Sequence, residues 1–291
     1  VDFVVSKVNS FAGEGTEGNP AGVLFTDKEL SSALMQKIAL RMGFSETAFL
    51  YPVKEAENSG GILRRFSRLV SAKRTIPVYY IRWFTTLTEV PLCGHATLAA
   101  AALLFQNEQT AKKGIFYSES GKLIVYREED RFMLDFPLDI PQAYNLPENL
   151  LAALGLENYE TVVLGEKTGY LLIRLRNEEM VREVSPNYPL LKGIRIPGIT
   201  GICITSLSDD PAYDFVSRFF DPWAGIMEDP VTGSAHTLLG PYWQKILYRS
   251  NMKARQLSRR GGVLLIRIEN DKRISIGGKA EITGEERISI V

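Results

Sequence analysis

Residues 89–98 read EVPLCGHATL, and residues 228–238 read EDPVTGSAHTL. Written together they share E-x-P-x-x-G-x-A, which pairs Glu89 with Glu228, Pro91 with Pro230, Gly94 with Gly233 and Ala96 with Ala235. The offset is 139 residues in a chain of 291, close to half its length. An aromatic strand precedes each copy, Arg82-Trp83-Phe84 in one and Arg218-Phe219-Phe220 in the other, and a helical stretch follows each. The shared strand–loop–glycine–helix context predicts a duplicated chain built from two related halves.

Each copy carries its own chemistry. Proline restrains the loop, and glycine lets backbone approach a ligand closely where the helix begins. The first-turn N–H groups lack intrahelical partners, so they and the helix dipole favour an anion. One copy alone reads as an ordinary glycine-led helix start. Two copies facing each other would hold a carboxylate or a developing enolate-like charge. Both histidines of the chain, His95 and His236, fall in this repeat at non-equivalent positions. A structural role is the ordinary reading of either; proton transfer is the sharper one. Asp229 and Ser234 stand where the first copy has Val90 and His95, so the two halves bring different groups, which suits directional proton movement.

A third element is GFSETAF, residues 43–49. As a strand it would put Phe44, Glu46, Ala48 and Leu50 on one face, leaving Glu46 a carboxylate among apolar neighbours. Burial there raises a carboxyl pKa and suits an acid/base catalyst. An exposed glutamate at a strand entrance is the plainer alternative.

Outward from these motifs, most segments read as short strands. VDFVVSKV, AGVLF, TAFLYPV, VYYIRWF, KLIVYRE and RFMLDF are β-branched or aromatic runs bounded by turn residues. A helix is expected from Asp27 or Ser31 to Met42, with Leu34, Ile38 and Leu40 on its apolar side and Gly43 ending it. Another follows Gly94, and its alanines permit close packing inside a curved sheet. After Phe136-Pro137 the pattern restarts with the short helix LPENLLAALG, then strands at ETVVLG, GYLLIRLR, GITGICITSL and AYDFVSRFF, and a helix after Gly233. Strands in runs with few helices indicate an α+β fold.

Lys+Arg and Asp+Glu both number 34, so no net field points to nucleic acid, a membrane or an acidic partner. The longest strongly apolar run, Leu98 to Phe105, is far too short to span a bilayer, and the first residues lack a signal-peptide layout. Two cysteines in unlike contexts, Cys93 and Cys203, argue against a disulfide framework and for a reducing cytoplasm. Two cysteines and two histidines without metal-ligand spacing argue against a structural zinc site. The stretch 54–78 holds Arg64, Arg65, Arg68, Lys73 and Arg74 with no acid between them; it reads as a solvated extension, or as a contact for a phosphate-bearing partner.

GNPAGV (18–23), SETAF (45–49), PLCGHAT (91–97) and DPVTGSAH (229–236), in this order, resemble the phenazine-biosynthesis PhzF-like family, as does the closing ISIGGKAEITGE. The resemblance implies a diaminopimelate-epimerase-like fold: two pseudo-symmetric α+β domains, each a curved, mainly antiparallel sheet or barrel around a central helix, with the active site between them. The expected domains are 1–136 plus 275–291, and 137–274. The implied activity is a cofactor-independent isomerase that moves a proton on a small carboxylate-bearing metabolite, commonly as a homodimer; characterised relatives isomerise dihydro-hydroxyanthranilate. Implied catalytic residues are Glu46, His95 and Asp229, and implied substrate-binding residues are Asn19, Ser45, Gly94, Gly233 and Ser234. Two departures stand out. The repeat places Cys93 opposite Thr232, so the thiol pair of a diaminopimelate epimerase is absent, and the stretch between SETAF and CGHAT is longer than usual for the family. A catalytically silent binding protein and an amino-acid epimerase using Cys93 with a carboxylate are the alternatives.

Overall fold

The computed structural model describes residues 1–53 and 76–290, so most of the basic stretch 54–78 lies outside the described residues. The chain forms two compact units. The first comprises Val1–Asn9, Pro20–Leu134 and Ala280–Val291; the second comprises Ser10–Asn19 and Asp135–Lys279.

In the first unit, β2 (Asn19–Phe25) runs parallel to β3 (Thr47–Pro52), β3 antiparallel to β4 (Val78–Phe84), β4 parallel to β6 (Lys113–Ser118), and β6 antiparallel to β7 (Gly121–Glu128). β1 (Asp2–Ser10) pairs with β2 and with the long β17 (Ala280–Ser289), and the short β5 (Glu89–Val90) pairs with β4. α1 (Ser32–Met42) covers this sheet. Its N-cap Ser31 accepts the Leu34 N–H, and Gly43 closes it at φ 68°, the left-handed conformation glycine adopts without penalty. The buried face is Met35, Ile38, Ala39 and Met42, packed on Val5, Leu24, Phe49 and Phe84. Leu40, expected on the apolar side, is 60% exposed, because it falls outside the arc those four residues define.

α2 (Gly94–Asn107) has no polar face. Residues 94–102, Leu104 and Phe105 are all buried, and the helix packs on β3, β7 and β17. Five alanines make this possible, since small side chains let sheet backbone close in on several sides of a helix.

The second unit repeats these pairings in order. β10 (Thr161–Gly165) is antiparallel to β11 (Tyr170–Arg174), β11 parallel to β12 (Gly201–Leu207), and β12 antiparallel to β13 (Phe215–Phe220). β13 is then parallel to β14 (Asn251–Gln256), and β14 antiparallel to β15 (Gly262–Asn270). The central helix is α6 (His236–Leu247), packed on β15 and on β16 (Arg273–Gly278). Gly240 allows that approach: a Cβ there would lie 2.5 Å from the Ile274 side chain. Pro241 sits inside α6 and removes one helical N–H; the carbonyl of Thr237 so released accepts the Asp139 N–H at 3.1 Å.

Three elements of this unit escape a pattern reading. α4 (Glu178–Glu183) and α5 (Tyr188–Gly193) are too short for periodicity to show, and each depends on a side-chain cap, Asn177 and Asn187. β14, NMKARQ, alternates only weakly. Residues Ser10–Asn19 also join this unit, through backbone bonds from Val263 N–H to Phe11 O (2.9 Å), Glu17 N–H to Arg260 O (2.9 Å) and Gly18 N–H to Gly261 O (3.0 Å). Gly18 is held at φ 71°, where a Cβ would lie 2.3 Å from Ser10 O, which accounts for glycine at the head of GNPAGV. Among the described residues no helix is long and apolar enough to cross a membrane.

Candidate active site

The duplicated motif is physically duplicated. On β4, Arg82 grips Glu89 with two hydrogen bonds, Nε to Oε1 and NH2 to Oε2, both 2.7 Å. On β13, Arg218 grips Glu228 through the same atoms at 2.7 and 3.0 Å. Each guanidinium also lies over the phenylalanine two residues on, 5.3 Å from Phe84 and 5.0 Å from Phe220. These bidentate pairs tie the strand to the loop that leads to each helix, and fix where Gly94 and Gly233 stand.

From this common frame the first copy builds an ionisable cluster. Glu46 does not lie within a strand as the alternation suggested; β3 begins at Thr47, and residues 43–46 form the turn leaving α1. The carboxylate is buried nevertheless, and the Gly22 N–H donates to the Glu46 carbonyl at 3.2 Å, which anchors the turn on β2. His95 Nε2 lies 3.3 Å from Glu46 Oε2 and 3.4 Å from Ser45 Oγ. The other ring nitrogen, Nδ1, lies 3.4 Å from Cys93 Sγ. The two side chains, His95 and Glu46, are 7% and 12% exposed, so both are largely withdrawn from water. A neutral imidazole carries one N–H. With that proton on Nε2 the ring donates towards Ser45 Oγ and accepts the Cys93 S–H at Nδ1; the other tautomer donates to the sulfur and accepts the Ser45 hydroxyl, while Glu46 Oε2 lies in contact with the ring without a hydrogen bond of its own.

In the second copy the equivalent groups are locked. Asp229 Oδ1 accepts from Asn19 Nδ2 at 2.9 Å, and Oδ2 accepts from Thr232 Oγ1 at 2.5 Å. Gln256 reinforces the loop: its Nε2 donates to the Asp229 carbonyl at 2.8 Å and its Oε1 accepts the Thr232 N–H at 2.9 Å. Thr232, the counterpart of Cys93, thus serves as a hydroxyl donor to a carboxylate. Ser234 Oγ pairs with the Tyr170 hydroxyl at 3.1 Å, and the Tyr170 ring meets Phe219 edge-on at 4.8 Å. His236 is fully buried, donates Nδ1–H to the Thr232 carbonyl at 2.9 Å and stacks on Phe215. Burial pushes its pKa down to about 4. Buried, bonded to backbone and stacked on Phe215, it has the setting of a structural histidine.

The structure therefore brings Ser45, Glu46 and His95 together at the head of α2, which Gly94 begins. It brings Asn19, Asp229, Gly233 and Ser234 together before α6. Tyr170 and Gln256 were not among the expected site residues; each meets its loop from a strand 24 or more positions away, and no local spacing marks them. A separate cavity of about 450 Å³ in the first unit is bordered by Tyr51, Tyr80, Tyr117, Arg82 and Pro91, without Glu46, Cys93 or His95. It is not the place where the acid/base groups meet.

Comparison with known proteins identifies the family and the fold. The profile described as Phenazine biosynthesis-like protein (PhzC-PhzF) matches residues 8–286. A Pseudomonas aeruginosa protein named as an uncharacterized isomerase is 41% identical over 285 residues, 98% of this chain and 97% of its own. One of the same description from Halalkalibacterium halodurans is 36% identical over 282 residues, 96% of each chain. The crystal structure of a PhzF-family phenazine biosynthesis protein from Enterococcus faecalis superposes with a TM-score of 0.84 at 34% identity, over 100% of both chains. The α+β fold, with a central helix in each of two repeated units, is the diaminopimelate-epimerase-like one. The chain belongs to the phenazine biosynthesis-like PhzC-PhzF family.

Proposed function

We propose that this protein is an isomerase that moves a proton on a small carboxylate-bearing metabolite by acid/base catalysis, without a cofactor. One observation carries the reading: a buried carboxylate and a buried imidazole in contact, Glu46 Oε2 and His95 Nε2 at 3.3 Å, at the first turn of a central helix. The Glu46 carboxylate takes a proton from carbon, and His95 holds the oriented partner position and returns a proton through Nε2. The backbone N–H groups at the start of α2 lack i−4 acceptors and receive the negative charge that develops on the substrate oxygen. Asp229, oriented by Asn19 and Thr232, is a second ionisable group of the reaction, and Gly233 and Ser234 bind substrate. The names of the two isomerase relatives support the reaction class.

The test is solvent-proton exchange. Dihydro-hydroxyanthranilate and a panel of α-amino and hydroxy acids are incubated with protein in D2O, and deuterium at carbon is followed by mass spectrometry. Incorporation that depends on Glu46 supports the reading. Absence of exchange across the panel, or equal exchange in Glu46→Gln, favours a binding protein instead. The Cys93–His95 contact supports a second reading, an epimerase that uses the thiol with Glu46; racemisation that survives Cys93→Ala removes it.

A further inference from the structure

Cys93 has no part in the proton transfer assigned to Glu46 and His95, yet its setting is not that of an inert core thiol. Its sulfur touches His95 Nδ1 at 3.4 Å, and the same ring presents Nε2 to Glu46 at 3.3 Å. The residue is also the N-cap of α2, with no side-chain cap bond, beside the N–H groups that favour a thiolate. The order is nucleophile, base, orienting carboxylate. Glu46, Cys93 and His95 offer donor atoms within 4.8 Å of one another, as a metal site would. In this arrangement sulfur and carboxylate contact opposite ring nitrogens. The geometry is that of a relay.

The other cysteine supplies an internal reference. Cys203 lies in β12, 1% exposed among apolar strand neighbours, and burial pushes its thiol well above the usual range. Cys93 is 7% exposed.

We infer that Cys93 is a modification site, a base-activated thiol that reacts with small electrophiles, of which hydrogen peroxide is the smallest. His95 Nδ1 accepts the thiol proton, and the thiolate attacks one peroxide oxygen. The S–O bond forms as the O–O bond breaks, and the departing hydroxide takes the proton back from the imidazolium. The products are a Cys93 sulfenic acid and water: sulfur is oxidised by two electrons and peroxide is reduced. The added oxygen sits beside Nδ1 and occupies the nitrogen whose tautomer governs the Glu46 contact. This site goes beyond the isomerase reading, and its test requires no turnover.

The experiment treats the folded protein with hydrogen peroxide in the presence of dimedone and follows both cysteines by peptide mass spectrometry. Cys93 is expected to be trapped at least about tenfold faster than Cys203, and His95→Gln to slow it by about tenfold with Cys203 unchanged, the factor one unit of thiol pKa gives. Glu46→Gln, which keeps the imidazole and removes the carboxylate, is expected to slow it by about threefold, the factor half a unit of thiol pKa gives. That variant decides the matter if His95→Gln does not fold. In urea the two cysteines should react at equal rates. Trapping of Cys93 no faster than Cys203 in the folded protein, or a rate unchanged in every folded variant of the pair, overturns the inference.

Discussion

The loops before α2 and α6 descend from one pattern and have been put to different uses. Both keep the Arg–Glu clamp, the arginine over a phenylalanine, the proline and the glycine-led helix. Beyond the clamp they part. The first loop sets an imidazole between a thiol and the Glu46 carboxylate. The second commits its polar groups to one another: Asp229 to Asn19 and Thr232, Thr232 to Gln256, and His236 to the Thr232 carbonyl. The lesson is that duplication preserved the frame and divided the work. The first copy sets ionisable side chains beside one another, and the second bonds its polar groups within its own loop.

The clamps offer the largest test of that division. Arg82 spans Glu89, Glu29 and Ser32, and its Glu29 partner is half exposed. Arg218 is 11% exposed and also donates to the carbonyls of Val181, Arg182 and Val184. Arg218→Met strands Glu228 and three carbonyls and should cost about 3–5 kcal/mol, whereas Arg82→Met should cost about 1 kcal/mol, by urea unfolding. Equal losses would show that the second copy is no more rigidly built than the first.

The histidine of the second copy gives the next effect. Its folded pKa, about 4, lies below the unfolded value near 6.5, so the unfolded chain binds more protons between them. The stability contributed by neutral His236 is fully present above pH 6.5 and is lost as pH falls towards 4, to a limit of about 3 kcal/mol. His236→Asn keeps a donor towards the Thr232 carbonyl and should flatten that part of the pH dependence relative to wild type. Parallel curves would mean that the histidine binds protons equally in the folded and unfolded chain, and would contradict its desolvation by burial. The smallest effect concerns Tyr170. Tyr170→Phe removes one partly buried hydroxyl contact to Ser234 and should cost about 1 kcal/mol. No change at all would place that contact outside the fixed array.

The duplication was legible because its markers are local. E-x-P-x-x-G-x-A fits within eight residues, and proline and glycine mean the same thing in each copy. The helix after Gly94 and the helix ending at Gly43 follow from composition and capping. What stayed hidden depends on distance along the chain. Gln256 meets Thr232 only because β14 lies parallel to β13, and Ser10–Asn19 joins the second unit through bonds to residues some 250 positions away. The two histidines make the same point. They look alike in the sequence and are both buried, but one stacks on Phe215 and bonds to a backbone carbonyl, whereas a turn leaving α1 sets Glu46 against the other. Placing Glu46 inside a strand failed for a related reason: the turn after Gly43 runs three residues further than apolar alternation implies.

Deuterium incorporation from D2O, measured on one substrate for wild type, Glu46→Gln and His236→Asn, tests the division of labour most directly. The account predicts that Glu46→Gln loses about a thousandfold in exchange rate with its fold intact, and that His236→Asn at pH 7 stays within about threefold of wild type. Exchange retained in Glu46→Gln, or lost equally in His236→Asn, would contradict it.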